Sequence, residues 1–370
     1  MKCYICENTE LINILNKEPI ELWSGASGDA KNTLKFKCEL HQCPKCGHVQ
    51  QNTTHELEDF LAKIYGSAGA SVSTEMGEGN WGSRRAQQII DEIDLKDHKS
   101  ALELGSGNGY FLEYLKAKGF SDLAGIEPSL SGTYKNDNIQ YYKEFARSTL
   151  NLNRKFDFIF AICVFEHIKG VNDVMRFVWN HLNEKGEFFF EVPNFHAEFK
   201  AGDPVVFMHE HIHYFTKSSL TVLLEQNGFS VLRIKEIRDS FFVWATKKKD
   251  FTVPEFEVCL YAGYEERLNS ALGNLARIAR DQGIAFHGVS NALNNILGWT
   301  GIGDNVGLFD NDETKVNKKH FGKMVRKPAE ETINKYDHIV VVPVNYFNEI
   351  AKQYRELGFK GEIVGVTNNG

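Results

Sequence analysis

The chain has little of what marks several large classes of protein. Seven cysteines in 370 residues are too few for a disulfide scaffold. No stretch approaches the roughly 18 consecutive apolar residues of a membrane-spanning helix. The densest apolar run, Ile339 to Val344, holds Pro343 and reads as a buried strand. Clustered positive charge is scarce as well: lysine and arginine number 42 against 49 acids, for a net charge of −7, and only Lys247-Lys248-Lys249 forms a short run. A protein that lives on phosphate backbones shows a clustered basic face, so general nucleic-acid binding is disfavoured. Met1 to Cys6 carries neither the apolar core nor the cleavage site of a secretory signal, and the expectation is a soluble, cytoplasmic protein. With 42% hydrophobic and 25% charged residues the composition is that of an ordinary globular chain, long enough for roughly two to three domains.

The cysteine that is present sits at one end. Five of the seven lie within the first 46 residues, and four of these form the pairs Cys3-x-x-Cys6 and Cys43-Pro44-Lys45-Cys46. Each short turn presents both sulfurs to one side, so two pairs can hold one zinc tetrahedrally. Pro44 pre-sets the second turn, and Gly47 lets backbone N–H groups approach the sulfur. Residues 7–42 then form an inserted hairpin, with Cys38, His41 and His48 as spare ligands. A redox Cys-x-x-Cys is the competing reading, but two pairs near one end favour metal. A closed four-cysteine site has no open position and contributes folding energy rather than catalysis.

Residues 66–82 are glycine-rich and polar, suiting a linker or lid, and a helical pattern follows from Arg84 to Ile93. Strand Ala101–Leu104 then runs straight into Gly105-Ser106-Gly107-Asn108-Gly109, with Tyr110, Phe111, Tyr114 and Leu115 recurring at helix spacing behind it. A second strand, Leu123–Ile126, ends in Glu127. Strand, glycine turn, helix, strand, acid is one unit of a parallel α/β sheet. The glycines let the backbone approach a ligand, and the acid can accept from two ribose hydroxyls. A dinucleotide turn would need its third glycine at 110, where Tyr110 stands. Further strands are expected at Ile139–Tyr142, Phe156–Ala161, Glu187–Val192, Val231–Ile234 and Phe241–Thr246, with Thr216 capping a helix over Lys217–Gln226.

Before that capped helix comes His209-Glu210-His211-Ile212-His213-Tyr214-Phe215. Taken literally, His209-Glu210-x-x-His213 is a zinc-protease signature, which requires both histidines on one helix face. The segment reads as loop or extended chain, so that chemistry is set aside. Histidines in a surface loop are the bland alternative. Against it, residues following the fifth strand lie at the carboxyl edge, where doubly wound sheets bind ligands, and Glu166-His167 follows the fourth strand at the same edge. Imidazoles and a carboxylate there suit acid–base work.

Together these motifs resemble the three-domain deoxysugar C-methyltransferases, which modify nucleotide-linked 4-keto-6-deoxy sugars. Cys3/Cys6 and Cys43/Cys46 with Gly47-His48-Val49-Gln50 resemble that family's zinc domain. Glu103 to Gly109, Gly125 to Ser129 and Phe189 to Pro193 resemble its central domain, and His209-Glu210-His211-x-x-Tyr214-Phe215 its most distinctive motif. Residues 284–366, with strands Ile284–Val289, Val306–Asp310, Ile339–Pro343 and Glu362–Val366, resemble its C-terminal domain. The resemblance implies an α/β protein of three parts: a zinc-binding domain over 1–75, a class I, Rossmann-like methyltransferase domain over 76–250, and a second Rossmann-like α/β domain over 251–370 that covers substrate. It implies S-adenosylmethionine held by Gly105, Ser106, Gly107, Gly109, Glu127, Pro128 and Phe145, and a structural zinc on Cys3, Cys6, Cys43 and Cys46. It also implies a general base at His211 supported by Glu210, with His167 and Tyr65 lining the same pocket. The implied partner is a nucleotide sugar, not nucleic acid or membrane, and the domain count leaves room for a monomer.

Met208 stands where the family often has a tyrosine, and the loop His287 to Leu293 lacks the family's run of small residues with a lysine. These departures favour a second reading, O- or N-methylation of another sugar nucleotide or small metabolite. A third is a zinc-ribbon binding module with a degenerate methyltransferase fold, against which the intact Gly105, Gly107, Gly109 and Glu127 argue.

Overall fold

The structure, a computed structural model, describes residues 1–23, 33–65, 87–89, 91–92, 98–237, 239–248, 256–303 and 306–367. The glycine-rich stretch 66–82 and most of the helix expected from Arg84 lie outside these residues. The chain gathers into two compact units. The first comprises Met1–Ile12, Gln42–Asn194 and Ile212–Leu260; the second comprises Asn13–His41, Phe195–His211 and Tyr261–Gly370. In chain order the elements begin with the paired strands β1 (Ile12–Trp23) and β2 (Thr33–Gln42), the insertion foreseen between the cysteine pairs, then β3 (Val49–Gln51) and helix α1 (His55–Tyr65).

An eight-stranded sheet forms the body of the first unit. Strands β4 (Ser100–Leu104), β5 (Asp122–Ile126), β7 (Ile139–Tyr142), β8 (Phe156–Ile162) and β9 (Leu182–Pro193) run parallel to their neighbours in that set. Strands β6 (Tyr134–Asn136), β11 (Phe229–Ile237) and β12 (Ser240–Lys247) join antiparallel, giving the order β11-β12-β9-β8-β4-β5-β7-β6. Its helices include α2 (Tyr110–Ala117), α3 (Val171–His181) and, after the two-residue β10 (His213–Tyr214), α5 (Lys217–Gln226); α4 (His196–Ala201) belongs to the second unit.

The strands are near-continuous apolar runs because both faces of the sheet are covered. Alternate side chains part to opposite faces: Phe188, Phe190 and Val192 enter one core cluster, Phe189, Phe158 and Phe160 the other. Burying each such ring is worth about 1.5–3 kcal/mol. Phe165, in the same cluster as Phe190, stacks on it with centroids 4.9 Å apart and so pins the turn that follows β8. The helix expected behind Thr216 is α5, opened by a reciprocal cap in which Thr216 Oγ1 accepts from Ser219 N at 3.1 Å and Thr216 N donates to Ser219 Oγ at 2.9 Å.

The expected strands fall within a few residues of their places. Two differences have physical causes. All three residues of β6 are exposed, so no apolar pattern marked it, and it is held by antiparallel pairing to β7 with Tyr134 stacked on Tyr141. Extended chain begins at Leu182 rather than Glu187, because the leading residue is buried while the polar stretch behind it disguises the strand. Since β5 lies on one side of β4 and β8 on the other, the order reverses at β4, and the loop leaving β4 opens into the crevice where such sheets take ligands.

The second unit carries a six-stranded sheet of order β15-β16-β14-β13-β17-β18. Its strands are β13 (Ile284–His287), β14 (Gly307–Phe309), β15 (Lys319–His320), β16 (Lys323–Arg326), β17 (His338–Val341) and β18 (Glu362–Gly365), all parallel to their neighbours except β15 against β16. Helices α6 (Tyr264–Asp281), α7 (Asn291–Thr300), α8 (Glu330–Ile333) and α9 (Phe347–Glu356) accompany it. Tyr264, Leu268, Leu272 and Leu275 form the buried stripe of α6, and Tyr264 Oη donates to Asp203 O at 2.9 Å. Ala285, Phe309, Ile339 and Val341 pack with Tyr354 and Phe359 as its core. No helix among the described residues is long and apolar enough to cross a membrane.

Candidate functional site

The turn leaving β4 is shaped by its glycines. Gly105, Gly107 and Gly109 have φ of 70°, 52° and 80°, the left-handed region that disfavours a side chain. A Cβ at Gly105 would also lie 2.5 Å from Val164, and one at Gly109 2.0 Å from Tyr141 Oη. The backbone there is therefore bare. Glu127, buried at the tip of β5, accepts from Gly107 N at 3.0 Å and from Ser129 N at 2.9 Å. These bonds fix the turn and leave carboxylate lone pairs for two ribose hydroxyls.

Two further polar groups at the turn have nothing to bond to. Ser106 Oγ and Glu103 Oε2 are buried without a partner among the described residues. Burial, and secondarily the charge of Glu127, holds the Glu103 carboxyl well above the usual carboxylate range. A buried acid short of a partner, beside a bared turn, fits a ligand that brings a positive charge and hydroxyls, as S-adenosylmethionine does. Sequence reasoning gives Glu103 only a place in the motif; the signal for more is an ionisable residue inside an otherwise apolar strand. Pro128 follows the acid directly, and Phe145, 51% exposed, stands in the loop beyond β7.

Beyond β8 the chain passes through Cys163, at φ 52°, into a single 3-10 turn, Phe165–His167. Glu166 is only 1% exposed, and burial, with nearby Glu191 adding to it, pushes its carboxyl up to about 8. Its Oε1 lies 3.6 Å from His167 Nε2, too far for a hydrogen bond, and its Oε2 has no partner among the described residues. Its carbonyl accepts from Ile212 N at 2.8 Å, while Ile212 O accepts from Gln51 N at 2.9 Å. His167 itself is partly exposed.

Because the folded pKa of Glu166 is raised, the folded state holds that proton more tightly than the unfolded chain does. Stability from this group is therefore lost as pH rises from the ordinary value near about 4.3 towards about 8. Glu166→Gln should remove that decline. Its denaturant midpoint should gain on the wild type by the equivalent of a few kcal/mol at about pH 8.5 and lose the advantage near about pH 5. Parallel pH profiles would refute the buried-acid description.

A pair of buried histidines fixes the next residue. His213 Nε2 lies 2.9 Å from Ile168 O, and since a carbonyl only accepts, Nε2 carries the proton. His213 Nδ1 must then accept from His48 Nε2, 2.9 Å away. Burial brings His213 down to about 4 and holds His48 well below the usual imidazole range, so both rings are neutral with their tautomers set. β10 meanwhile pairs antiparallel with β3, His213 opposite Gln50 and Tyr214 opposite Val49. His48, foreseen as a spare metal ligand, is thus committed to His213.

The four paired cysteines do come together. Their Sγ atoms lie within 4.8 Å of one another, with Cys3 to Cys46 and Cys6 to Cys43 both at 3.6 Å. Four sulfurs about 2.3 Å from one tetrahedral centre are about 3.8 Å apart, so the donor set and its spacing fit zinc. Gly47 N donates to Cys43 O and Cys43 N to His48 O, closing the second turn. Gly47 is at φ 75°, where a Cβ would come within 2.7 Å of Ser218 Oγ, and that hydroxyl donates to Cys46 O at 2.9 Å. The hydrogen bond between Cys3 and Cys46 draws the Cys3 thiol down to about 6 and pushes Cys46 up, and a bound zinc would take the cysteines as thiolates.

The segment leading to His211 lies in the second unit. Asp203 caps a single turn, Pro204–Val206, accepting from Val205 N at 2.8 Å, and Asn295 Nδ2 donates to Pro204 O and Phe207 O at 2.9 and 2.7 Å. His211 N donates to Met208 O at 3.0 Å, a turn rather than a helix, while His213 is on a strand; the metal-protease arrangement is absent, as expected. His209 is buried with Nε2 3.6 Å from Glu210 Oε1, and the buried His211 ring packs against Phe195 at 5.8 Å between centroids. Tyr65 ends α1, but its side chain lies outside the described residues.

Residues 80–234 match the family profile described as a methyltransferase domain. This chain is an enzyme with a methyltransferase domain. Its sheet has the class I strand order, with the glycine turn directly after β4. Among known proteins it is similar to the C-methyltransferase NovU of Streptomyces niveus, with 23% identity over 245 residues, 63% of this chain and 57% of that protein. The match thus spans little more than half the length of that relative. Similar solved structures include the DhpI–SAH complex, at TM-score 0.40 and 15% identity over 54% of this chain and all of that one. Another is an S-adenosylmethionine-dependent methyltransferase from Clostridium acetobutylicum ATCC 824, at TM-score 0.35 and 13% identity over 45% of this chain and 92% of that one.

Proposed function

We propose that this enzyme methylates a carbon of a nucleotide-linked 4-keto-6-deoxy sugar, with S-adenosylmethionine as donor. The similarity to a C-methyltransferase carries the choice of carbon over oxygen or nitrogen. The motif around His209 to Phe215 supports the substrate class.

Carbon is a poor nucleophile until it loses a proton. In this proposal His211 takes the proton beside the ketone, with Glu210 orienting the imidazole and stabilising its charged form. A donor from His167 or Tyr65 holds the enolate oxygen, where negative charge develops. S-adenosylmethionine supplies an electrophilic methyl group. The new carbon–carbon bond forms as the methyl–sulfur bond breaks, and positioning by the Gly105–Gly109 turn and Glu127 accounts for much of the rate. Zinc on Cys3, Cys6, Cys43 and Cys46 is structural in this scheme and takes no part in the proton transfers.

Isotope exchange of the substrate's α-proton, followed without methyl donor, tests the proposal. The wild type should exchange it, and His211→Ala should lower the exchange rate by about 10²–10⁴-fold, the usual contribution of a positioned base. Met208 and the altered loop at His287 to Leu293 favour O- or N-methylation instead, which requires no such exchange. Methyl transfer to the sugar without α-proton exchange would therefore select that second reading.

A further inference from the structure

The turn that carries Glu166 and His167 is held by more than its own bonds. It is a single 3-10 turn, closed by His167 N to Val164 O at 3.1 Å and by Ile168 N to Phe165 O at 3.4 Å. So short a piece, with one of its bonds long, has little stability of its own. The chain enters it through Cys163 at φ 52°, a conformation that disfavours a side chain, and leaves it through Ile168 in extended form at φ −104° and ψ 101°. Two of its carbonyls are gripped from one neighbouring segment. Glu166 O accepts from Ile212 N at 2.8 Å, and Ile168 O accepts from His213 Nε2 at 2.9 Å. His167 stands between those two carbonyls in the chain.

We infer that His213, oriented by His48, is a positioning residue for His167, acting through Ile168 O. All of these residues belong to the first unit. His48 and His213 are 0% and 1% exposed, and burial holds both imidazoles below their ordinary range. The bonds therefore run one way, from His48 Nε2 to His213 Nδ1 at 2.9 Å and from His213 Nε2 to Ile168 O. His48 Nδ1 is left as a buried acceptor with no hydrogen-bond partner among the described residues. An orphaned acceptor costs stability, and two apolar rings of the same shape would fill this space without it. What apolar rings could not do is hold Ile168 O.

A positioning group must itself be fixed. The His213 ring stacks on Phe215 with centroids 5.4 Å apart and meets Tyr4 edge-on at 5.6 Å. His48 also packs against Phe215, at 5.4 Å. The backbone behind both rings is paired: β10 lies against β3, Ile212 O accepts from Gln51 N at 2.9 Å, and His48 O accepts from Cys43 N at 2.8 Å. Just past the turn, Lys169 Nζ sits 5.8 Å from the centroid of the Tyr4 ring, and Asn172 Nδ2 donates to Tyr4 O at 2.9 Å. The exit of the turn is thus tied at Ile168, Lys169 and Asn172 to the segments that carry the cysteine pairs. Such a clamp keeps the His167 imidazole from drifting, and a misplacement of about 1 Å at a reacting site costs up to about a hundredfold in rate.

The effect on turnover rests on the reading in which His167 serves the substrate; the effect on His167 itself does not. Two readouts keep these apart, both taken on the full chain with S-adenosylhomocysteine or the methyl donor present. The first is nuclear magnetic resonance of isotope-labelled histidine rings, with His167→Asn identifying the signals of His167. The second is kcat and KM for methyl transfer to a nucleotide keto-sugar. In the wild type, His213 should be the Nε2–H form with a slowly exchanging ring proton. His213→Phe keeps a ring in the stack but gives up the donor. It should shift and broaden the His167 signals and lower kcat by about ten- to a hundredfold, with KM changed by no more than about twofold. His213→Gln, whose amide nitrogen can donate from about the same place, should recover both. Adding His48→Leu to His213→Phe should change neither further, because His48 acts only through His213.

Unchanged His167 signals in a folded His213→Phe chain overturn the inference. So does a glutamine variant that recovers nothing, a further loss on adding His48→Leu, or altered signals with an unaltered kcat. Should His213→Phe fail to fold, His213→Gln and His48→Leu decide instead: the first should leave the His167 signals in place and the second should broaden them, and the reverse order overturns the inference. A wild-type chain that transfers no methyl group to a keto-sugar would defeat the substrate reading, and the ring signals would still decide whether His213 positions His167.

Discussion

Replacing Gly107 with arginine is expected to abolish the one-to-one binding of S-adenosylhomocysteine that the wild-type chain should show. Gly107 is at φ 52°, and its N–H donates to Glu127 at 3.0 Å. A non-glycine residue in that conformation costs about 1–2 kcal/mol. The larger loss is chemical. An arginine beside Glu127 brings a guanidinium that pairs with the carboxylate meant for ribose hydroxyls, and its side chain fills the space a nucleoside needs. Glu127→Gln separates these effects. It keeps the shape and, through its one amide oxygen, the bond from Gly107 N, but gives up the one from Ser129 N and weakens charge-assisted bonds worth about 1.5–3 kcal/mol, so binding should fall by roughly ten- to a hundredfold rather than vanish. Calorimetry on the three proteins, with circular dichroism to confirm that each is folded, decides the matter. Undiminished binding by Gly107→Arg would remove the turn from the donor site.

What made that turn legible from sequence is that its determinants are local. An apolar strand, glycines at 105, 107 and 109 and an acid at the next strand's end need only chain order to be placed together. The cap at Thr216 is local in the same sense, with partner Ser219 three residues on. Glu103 and Glu166 were harder, because their meaning lies in burial. Only the packed sheet shows that an oxygen on each lacks a partner among the described residues and that burial raises both carboxyls above the usual carboxylate range. The His48–His213 pair joins residues 165 apart, and no spacing rule announces it. The cysteines fall between these cases: each pair is local, yet the approach of Cys3 to Cys46 is a tertiary fact. For the second unit, the strands were visible as apolar runs, but the bond from Val289 N to Asp310 depends on β13 and β14 lying side by side.

If zinc sits on the four cysteines, removing it, or one of the four thiols, should cost the first unit a large part of its stability. The two cysteine turns are tied into the methyltransferase scaffold at both ends. Asn172 Nδ2, on α3, donates to Tyr4 O at 2.9 Å and to Ile5 O at 3.2 Å, and Gln226 Nε2, on α5, also donates to Ile5 O. Ser218 Oγ, in the first turn of α5, holds Cys46 O at 2.9 Å. If zinc closes the four thiols, releasing it frees turns that anchor two helices of the donor-binding sheet. Structural zinc sites in small peptides are worth about 10–16 kcal/mol of apparent binding free energy, and losing one thiolate of four forfeits part of that. Taking about 3–5 kcal/mol for the part lost, and about 2–4 °C per kcal/mol for a unit of this size, Cys46→Ser should lower the melting temperature by on the order of 10 °C. A metal assay should find one zinc per wild-type chain and less than one in the variant. Binding of S-adenosylhomocysteine at low temperature should survive the substitution, because no cysteine of the four belongs to the turn between Gly105 and Gly109. A wild-type chain without zinc, or a variant with an unchanged melting temperature, would show that the four thiols are held together by packing alone.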